Sequence, residues 1–538
     1  MPFRLPMLRL HLLLVLYFAL ILNWPVLLHL TTILEGLEHV KVGFVVSIPL
    51  LLIAALNLVF LPFSLRFVQK PFFVMMLLTG SLASYGMLKY GVVFDADMVR
   101  NVVETNPAEA ESYLSLSSFG WFLITGILPV LLLLLTRIEY PCWWKGSSQR
   151  LGAMAVSLLL LGAIAGLYYQ DYASVGRNNK VLTHQLVPSS YVHAGWRIFR
   201  DRYLRTPEPY REIGTDARQV ASAHGDKPTL LFLVVGETAR AQNYALNGYG
   251  RDTNPFTRTE KVISFAKVQS CGTATAVSVP CMFSNLTRAG YDDEKAHNQD
   301  GVLDVLARAG VSVLWKENDG GCKGVCDRVP TITMSPKEYP TLCRGDVCLD
   351  EVLLQGLDRE IESMRGNRLV AFHLMGSHGP TYFKRYPDEQ RAFTPDCPRS
   401  DIENCSQEAL VNTYDNTIRY TDWLLSQMIE RLKGLESKYR VGLIYLSDHG
   451  ESLGEKGLYL HGTPYALAPQ EQTHVPMLMW LSPELSRSKG IDEGCLSQAA
   501  SEGEYSQDNL FHSLLGVMDV ATSAYQPRLD MFKPCRAS

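Results

Sequence analysis

Three short segments concentrate side chains able to hold a metal ion or move a proton. They read Gly236-Glu237-Thr238-Ala239-Arg240, Met375-Gly376-Ser377-His378-Gly379 and Ser447-Asp448-His449-Gly450-Glu451. A lone Asp–His pair is an ordinary structural feature. One Glu-bearing and two His-bearing segments together offer oxygen and imidazole ligands, which suit Zn²⁺ or Mn²⁺ rather than copper or an iron–sulfur cluster. Such a site needs a group to activate. Residues 271–281, CGTATAVSVPC, are rich in small residues and hydroxyls and lead towards a helix carrying Met282, Phe283 and Leu286. A hydroxyl at a helix start beside a divalent cation has its pKa lowered, and free backbone N–H groups there can hold phosphate oxygens. On these grounds Thr273, Thr275 and Ser278 stand equal.

What precedes each segment positions it. Thr229–Val235 (TLLFLVV), Leu369–Leu374 (LVAFHL) and Val441–Leu446 (VGLIYL) are apolar runs of strand length. Ala307–Trp315 adds a helix end, a glycine stop and a fourth strand. Amphipathic stretches at 299–309, 349–364 and 408–434 alternate with them. The alternation predicts a doubly wound α/β sheet covered on both faces. In such sheets ligands bind beyond the carboxyl ends of the strands, where the three segments fall. His373 lies inside a strand and reads as a core histidine. His474 has no motif around it.

The remainder of the chain is of another kind. Among the first 200 of the 538 residues only 23 are charged, against 81 in the remaining 338. This step excludes disorder, a coiled coil and a collagen-like chain. Neither half has the basic surplus of a nucleic-acid-binding protein, so no nucleic-acid partner is expected. Five stretches, 10–34, 42–65, 71–88, 112–136 and 151–170, contain no Asp, Glu, Lys or Arg. Each is long enough to cross a hydrocarbon core of about 30 Å as a helix. Arg4, Arg9, Arg66, Lys70, Arg137, Lys145 and Arg150 flank one side, and Lys41, Lys89 and Arg100 with seven acids flank the other. The excess of positive charge places the N-terminus in the cytoplasm and everything after the fifth span outside. The first span lacks a small-x-small cleavage site and precedes four more, so it reads as an uncleaved anchor. The 92–111 loop is long enough for a short helix outside the membrane. Residues 171–200 interleave polar and aromatic groups, fitting either a segment along the membrane surface or a solvated linker.

Cysteine placement agrees with export. Ten of eleven follow residue 200: Cys271, Cys281, Cys322, Cys326, Cys343, Cys348, Cys397, Cys405, Cys495 and Cys535. An even set in an exported domain reads as disulfides. Sequence does not fix the pairing. The simplest guess joins nearest neighbours, 271–281, 322–326, 343–348 and 397–405, and leaves 495–535. The competing reading is a structural zinc held by Cys322, Cys326, Cys343 and Cys348.

Longer motifs now become specific: GETARAQNYALNGYGRDTNP (236–255), CGTATAVSVPCMFS (271–284), NDGGCKGVCDRVP (318–330), GSHGPTYFKRYP (376–387), LVNTYDNT (410–417), YLSDHGESLGE (445–455) and YLHGTPYALAP (459–469). Over essentially its whole length the chain resembles the lipid A phosphoethanolamine transferases of Gram-negative bacteria, the group that includes the mobile colistin-resistance enzymes. The resemblance implies a five-helix transmembrane domain (1–170), an interfacial bridging segment (171–215), and a periplasmic, zinc-dependent catalytic domain of the alkaline phosphatase/sulfatase fold (216–538). It implies Thr275 as nucleophile, with Glu237, Thr275, Asp448 and His449 as Zn²⁺ ligands. His378 and His461 match histidines near the substrate phosphate or a second zinc, and Lys323 a lysine holding the transferred phosphate. Asn101, Thr105 and Glu109 recur at i, i+4 and i+8, a helix-face spacing, and match positions lining a phosphoethanolamine pocket. The implied donor is phosphatidylethanolamine and the implied acceptor a lipid A phosphate, both membrane lipids handled at the inner membrane. The implied product weakens attraction for cationic peptides such as polymyxin. A monomer is expected.

Rival readings are a related transferase acting on core heptose, Kdo or a glycan, a lipoteichoic-type phosphoglycerol transferase, and a catalytically dead membrane sensor or scaffold. Sulfatase activity fits poorly. Its signature needs Cys or Ser, any residue, Pro, any residue, Arg, whereas Ser278-Val279-Pro280-Cys281 is followed by Met282.

Overall fold

The structure, a computed structural model, describes residues 4–35, 40–105, 110, 113–204, 209–220, 227–345 and 347–536. The chain forms two compact units, one of Met1–Val99 and Leu114–Asp201, the other of Arg100–Tyr113 and Arg202–Ser538.

In the first unit, four helices among the described residues are long and apolar enough to cross a membrane: Val42–Phe63, Gln69–Tyr90, Leu116–Leu135 and Trp143–Ala173. The expected span at 10–34 is instead a bent pair, Met7–Leu22 and Trp24–Glu35, meeting at 53°. The break falls at Asn23, just before Trp24-Pro25. Proline has no N–H to bond the preceding turn and restricts the residue before it. Asn23 is fully buried. Its amide donates to the Phe18 and Val187 carbonyls, each at 2.8 Å, and its Oδ1 accepts from the Val187 N–H at 2.8 Å. The bend is therefore held, with the polar groups that it exposes paired inside the unit.

The last long helical stretch runs from Trp143 to Asn178 with a kink at Tyr168 (φ −130°, ψ 16°), starting eight residues before the charge-free stretch. Arg150 is tolerated there because its guanidinium donates to Ser64 Oγ at 3.0 Å and to the Ser64 carbonyl at 2.9 Å, beyond the end of the neighbouring span. Within 171–200, Ser189–Phe199 is a helix, with Trp196 and Phe199 exposed and stacked. The 92–111 loop does contain a helix, Ala96–Glu104.

The second unit is built on a seven-stranded sheet. Its strands are β1 (Thr229–Gly236), β2 (Ile263–Phe265), β3 (Ser312–Glu317), β4 (Thr331–Thr333), β5 (Arg368–His373), β6 (Arg440–Ser447) and β7 (Met477–Leu481), in the order β2-β7-β6-β1-β5-β3-β4. The strands from β6 to β4 are mutually parallel, and β7 is antiparallel to β6 and to β2. Every residue of β1, β5 and β6 is buried, as expected of a sheet covered on both sides. Leu231, Leu233, Val235, Ile444 and Leu446 share one core with residues of α1 (Thr275–Phe283), α2 (Val302–Arg308) and a later helix, α4 (Asp508–Val517). The long helix between them in sequence, α3 (Gln407–Gly434), packs against β6. The register brings Ser447 of β6 opposite Gly236 of β1, and His373 of β5 opposite Val235. The carboxyl ends therefore finish level, and the residues after them share one rim.

Five disulfides close, Cys271–Cys281, Cys322–Cys326, Cys343–Cys348, Cys397–Cys405 and Cys495–Cys535. The four-cysteine zinc reading falls, because all four sulfurs are committed to disulfides. Cys142 is free and exposed.

Candidate metal centre

Glu237 follows β1 directly, and Asp448 and His449 follow β6. All three are fully buried, and one ligand atom from each lies within 4.8 Å of the others. The loop after β5 passes close behind. Gly376 has φ +49°, and a Cβ there would sit 2.7 Å from the Glu237 carbonyl oxygen, so glycine is required. Thr238 also has a positive φ, +58°. Its N–H donates to Asp448 Oδ1 at 3.1 Å, and its hydroxyl donates to Glu237 Oε1. One strained residue thus orients both carboxylates.

His449 is fixed by its other nitrogen: Nδ1–H donates to the Gly450 carbonyl at 2.9 Å. Nε2 is left facing Asp448 Oδ2 at 3.2 Å, Thr275 Oγ1 at 3.3 Å and Glu237 Oε1 at 3.6 Å. Asp448 Oδ2 is buried and accepts no hydrogen bond among the described residues. Burial, and then the charge of Glu237, push the Asp448 carboxyl well above its usual range. Burial also disfavours the charged form of Glu237, but His449, His378 and His461 outweigh it and hold that carboxyl low. Two facing carboxylates and an imidazole, with an open oxygen between them, are the donor set of a divalent cation. The residues fit zinc.

The hydroxyl left open by sequence is resolved by geometry. Thr273 Oγ1 donates to the Thr463 carbonyl at 2.7 Å, and Ser278 Oγ accepts from the Gly272 N–H at 3.0 Å. Of the three, only Thr275 faces the acids, with Oγ1 3.1 Å from Glu237 Oε2. It is the first residue of α1, where the opening backbone N–H groups are not consumed by the helix. Leu286 lies beyond that helix.

His378 and His461 join the group. Their ring centroids are 5.7 Å apart, and His461 lies 4.4 Å from His449. His461 Nδ1 is 3.3 Å from Glu451 Oε1, and Tyr382 OH donates to Glu451 Oε2 at 2.9 Å. Burial pushes the Glu451 carboxyl up to about 8 against the opposing pull of His449. Lys323 is elsewhere. It lies in the loop closed by Cys322–Cys326 and lines a small cleft of about 60 Å³ with Pro280, Phe283 and Ser284. No hydrogen bond or ion pair joins it to the Thr275 group among the described residues.

Of the expected helical face of Asn101, Thr105 and Glu109, the described residues include the first two. The helix stops at Glu104, and Thr105 Oγ1 donates back to the Asn101 carbonyl at 2.7 Å. The sequence then runs into Asn106-Pro107, a pair that disfavours helix continuation. Glu109 lies outside the described residues. Two residues were missed by sequence reasoning. Gln507 is buried; its amide donates to the Ser447 and Asp448 carbonyls, and its Oε1 accepts from the Cys271 N–H, tying the Thr275 loop to the Asp448 loop. No local motif marks it. Glu451 stood inside the motif after β6 but carried no assigned role.

A level rim of parallel strands carrying a buried acid–imidazole group against a helix-start threonine defines the sulfatase class of fold. The sulfatase family matches residues 229–520, and the family described as phosphoethanolamine transferase EptA/EptB matches residues 52–203. Phosphoethanolamine transferase EptA of Salmonella typhimurium is 42% identical over 94% of this chain and 92% of its own length. Phosphatidylethanolamine transferase Mcr-1 of Escherichia coli is 36% identical over 91% of each. The integral membrane lipooligosaccharide phosphoethanolamine transferase A of Neisseria meningitidis superposes with a TM-score of 0.96 at 39% identity, covering 100% of both chains. The chain belongs to the EptA family of phosphoethanolamine transferases.

Proposed function

We propose that the protein transfers phosphoethanolamine from phosphatidylethanolamine to a phosphate of lipid A, through a phosphoethanolamine–Thr275 intermediate, at the outer face of the bacterial inner membrane. The observation carrying this reading is Thr275 Oγ1 at a helix start, 3.1 Å from Glu237 Oε2 and 3.3 Å from His449 Nε2. Glu237, Asp448, His449 and Thr275 would hold Zn²⁺. When bound, that ion supplies Lewis acidity, lowering the pKa of the Thr275 hydroxyl and offsetting charge on the phosphoryl group.

The chain's own groups account for the remaining chemistry. His449 helps to orient Thr275 Oγ1, and Glu237 accepts its proton at Oε2. Oγ1 forms a bond to the donor phosphorus as the bond from phosphorus to the diacylglycerol oxygen breaks. His378 or His461 donates a proton to that leaving oxygen, giving diacylglycerol. The first backbone N–H groups of α1 hold phosphoryl oxygens, and Lys323 is assigned to the phosphate by family resemblance alone. A lipid A phosphate oxygen then attacks phosphorus, and Thr275 Oγ1 leaves and recovers its proton. Asn101, Thr105 and Glu109 are assigned to the phosphoethanolamine pocket by family resemblance. The first unit, with its N-terminus in the cytoplasm, brings the two lipid substrates, and the disulfide-rich second unit acts in the periplasm. Masking an anionic phosphate with an ammonium lowers attraction for polymyxin.

Mass spectrometry of lipid A from expressing cells tests the reading. The expected result is a species carrying added phosphoethanolamine that disappears with Thr275→Ala. Unmodified lipid A alongside a modified core sugar would assign the acceptor to a related transferase instead.

A further inference from the structure

We propose that Glu237, Asp319 and His373 form a second divalent-metal site, sharing Glu237 with the centre at Thr275. It lies on the other side of β1 in the strand order. Asp448 and His449 follow β6, while His373 ends β5 and Asp319 follows β3 by two residues. The β3–β5 register sets Glu317 opposite His373, and the β5–β1 register sets His373 opposite Val235, two residues before Glu237. Three adjacent parallel strands therefore deliver three buried ligand groups to one place, with one ligand atom of each within 4.8 Å of the others.

The orientation of His373 carries the argument. Its Nδ1 is 3.0 Å and 3.1 Å from the two oxygens of Glu317. Glu317 also accepts from Trp315 Nε1 at 2.8 Å, Asp319 N–H at 2.7 Å and Gly320 N–H at 3.1 Å. A carboxylate so supplied with donors acts as an acceptor, so the Nδ1–H of His373 points at it and the lone pair lies on Nε2. His373 is fully buried, and Nε2 has no hydrogen-bond partner among the described residues. Its distance to Asp319 Oδ2 is 3.8 Å, too long for a hydrogen bond. An imidazole held by a carboxylate at one nitrogen and open at the other is how proteins aim a metal-ligating histidine. Two carboxylates and one imidazole suit Zn²⁺ or Mn²⁺. An ion there would compensate the acids and fix Glu237 from behind.

The inference rests on the reading of Glu237 as a ligand of the first centre, and the experiment separates the two. The full-length protein in detergent is stripped with chelator, titrated with Zn²⁺ and with Mn²⁺, and assayed for bound metal by mass spectrometry. His373→Gln and Asp319→Asn should each lose about one equivalent relative to the unsubstituted protein. Asp448→Asn should lose a different one, and His373→Gln with Asp448→Asn should lose both. A His373→Gln protein binding as much of both metals as the unsubstituted chain would overturn the second site. So would a double variant no worse than Asp448→Asn alone. Full binding by Asp448→Asn would instead refute the first centre. Should a variant fail to fold, anomalous diffraction from metal-soaked crystals of the unsubstituted protein decides. A peak among Glu237, Asp319 and His373 is expected, and its absence overturns the proposal.

Discussion

Buried amides in the first unit and buried acids and histidines in the second serve opposite purposes. In the first, His11 Nε2 meets Asn57 Oδ1 at 3.0 Å, and the Asn57 amide reaches Ser157 Oγ at 2.8 Å, joining three spans through one buried chain. Asn23 holds the bend of the opening helix pair in the same manner. Both atoms of each of these amides are engaged, as an apolar surrounding favours, and of the chain His11–Asn57–Ser157 only His11 Nδ1 has no partner among the described residues. In the second unit, one edge of a polar group is fixed so that the other stays open. His449 is tied at Nδ1 and His373 at Nδ1, while Asp448 Oδ2 and His373 Nε2 have no hydrogen-bond partner among the described residues. A buried open atom costs about 1–3 kcal/mol. Where such atoms converge on one carboxylate, the arrangement is explained by something that fills the gap.

Removing metal with a chelator, or replacing Asp448 by Asn, should lower phosphoethanolamine transfer by more than about a thousandfold, the scale of losing an activated nucleophile. Added Zn²⁺ should restore the chelated enzyme and leave Asp448→Asn inactive; transfer that survives chelation would place the open atoms outside the chemistry. Asn23→Ala should act on the other unit. It strips the partners from the Val187 N–H and carbonyl, costing about 2–3 kcal/mol, read as a lower melting temperature in detergent with bound metal unchanged. Melting like that of the unsubstituted protein would show that the bend needs no such hold.

The smallest effect concerns His512 in α4, whose Nδ1 accepts from the Gln526 N–H at 3.1 Å. Burial, with Arg528 adding to it, depresses its pKa from 6.5 to about 4. The folded group stays neutral while the unfolded chain takes up a proton. The stability it contributes is present above pH 6.5 and is lost as pH falls towards 4. His512→Gln should flatten the melting temperature over that window, by the equivalent of about 1–2 kcal/mol after allowing for solvent screening. An unchanged slope would assign the acid sensitivity to other groups.

Much of this site was legible before any coordinates, for a definite reason. Glu237, Asp448 and His449 directly follow runs of residues apolar enough to be strands of a covered sheet, and parallel register brings such ends level. Residues acting at long range left no such mark. Gln507 works through main-chain groups more than fifty residues away, and the role of His373 depends on which acids the neighbouring strand presents. A fully buried strand shows no alternation, so an in-strand histidine looks like core whichever way it points. Met477–Leu481 is apolar like its neighbours, and nothing local gives away its antiparallel direction. The first span looked continuous because an absence of charge says nothing about a bend; Trp24-Pro25 was the available signal. Residue types alone left the three hydroxyls after Cys271 equal and the family resemblance favoured Thr275; the structure adds that Thr273 and Ser278 are already engaged with backbone.

The most direct test of the account is the identity of the atom that carries the transferred group. Purified full-length protein, loaded with Zn²⁺ in detergent and given phosphatidylethanolamine without acceptor, should yield one modified peptide, with phosphoethanolamine on Thr275. Adding lipid A should discharge it. A modification on any other residue, or transfer undiminished in Thr275→Ala, would contradict the account.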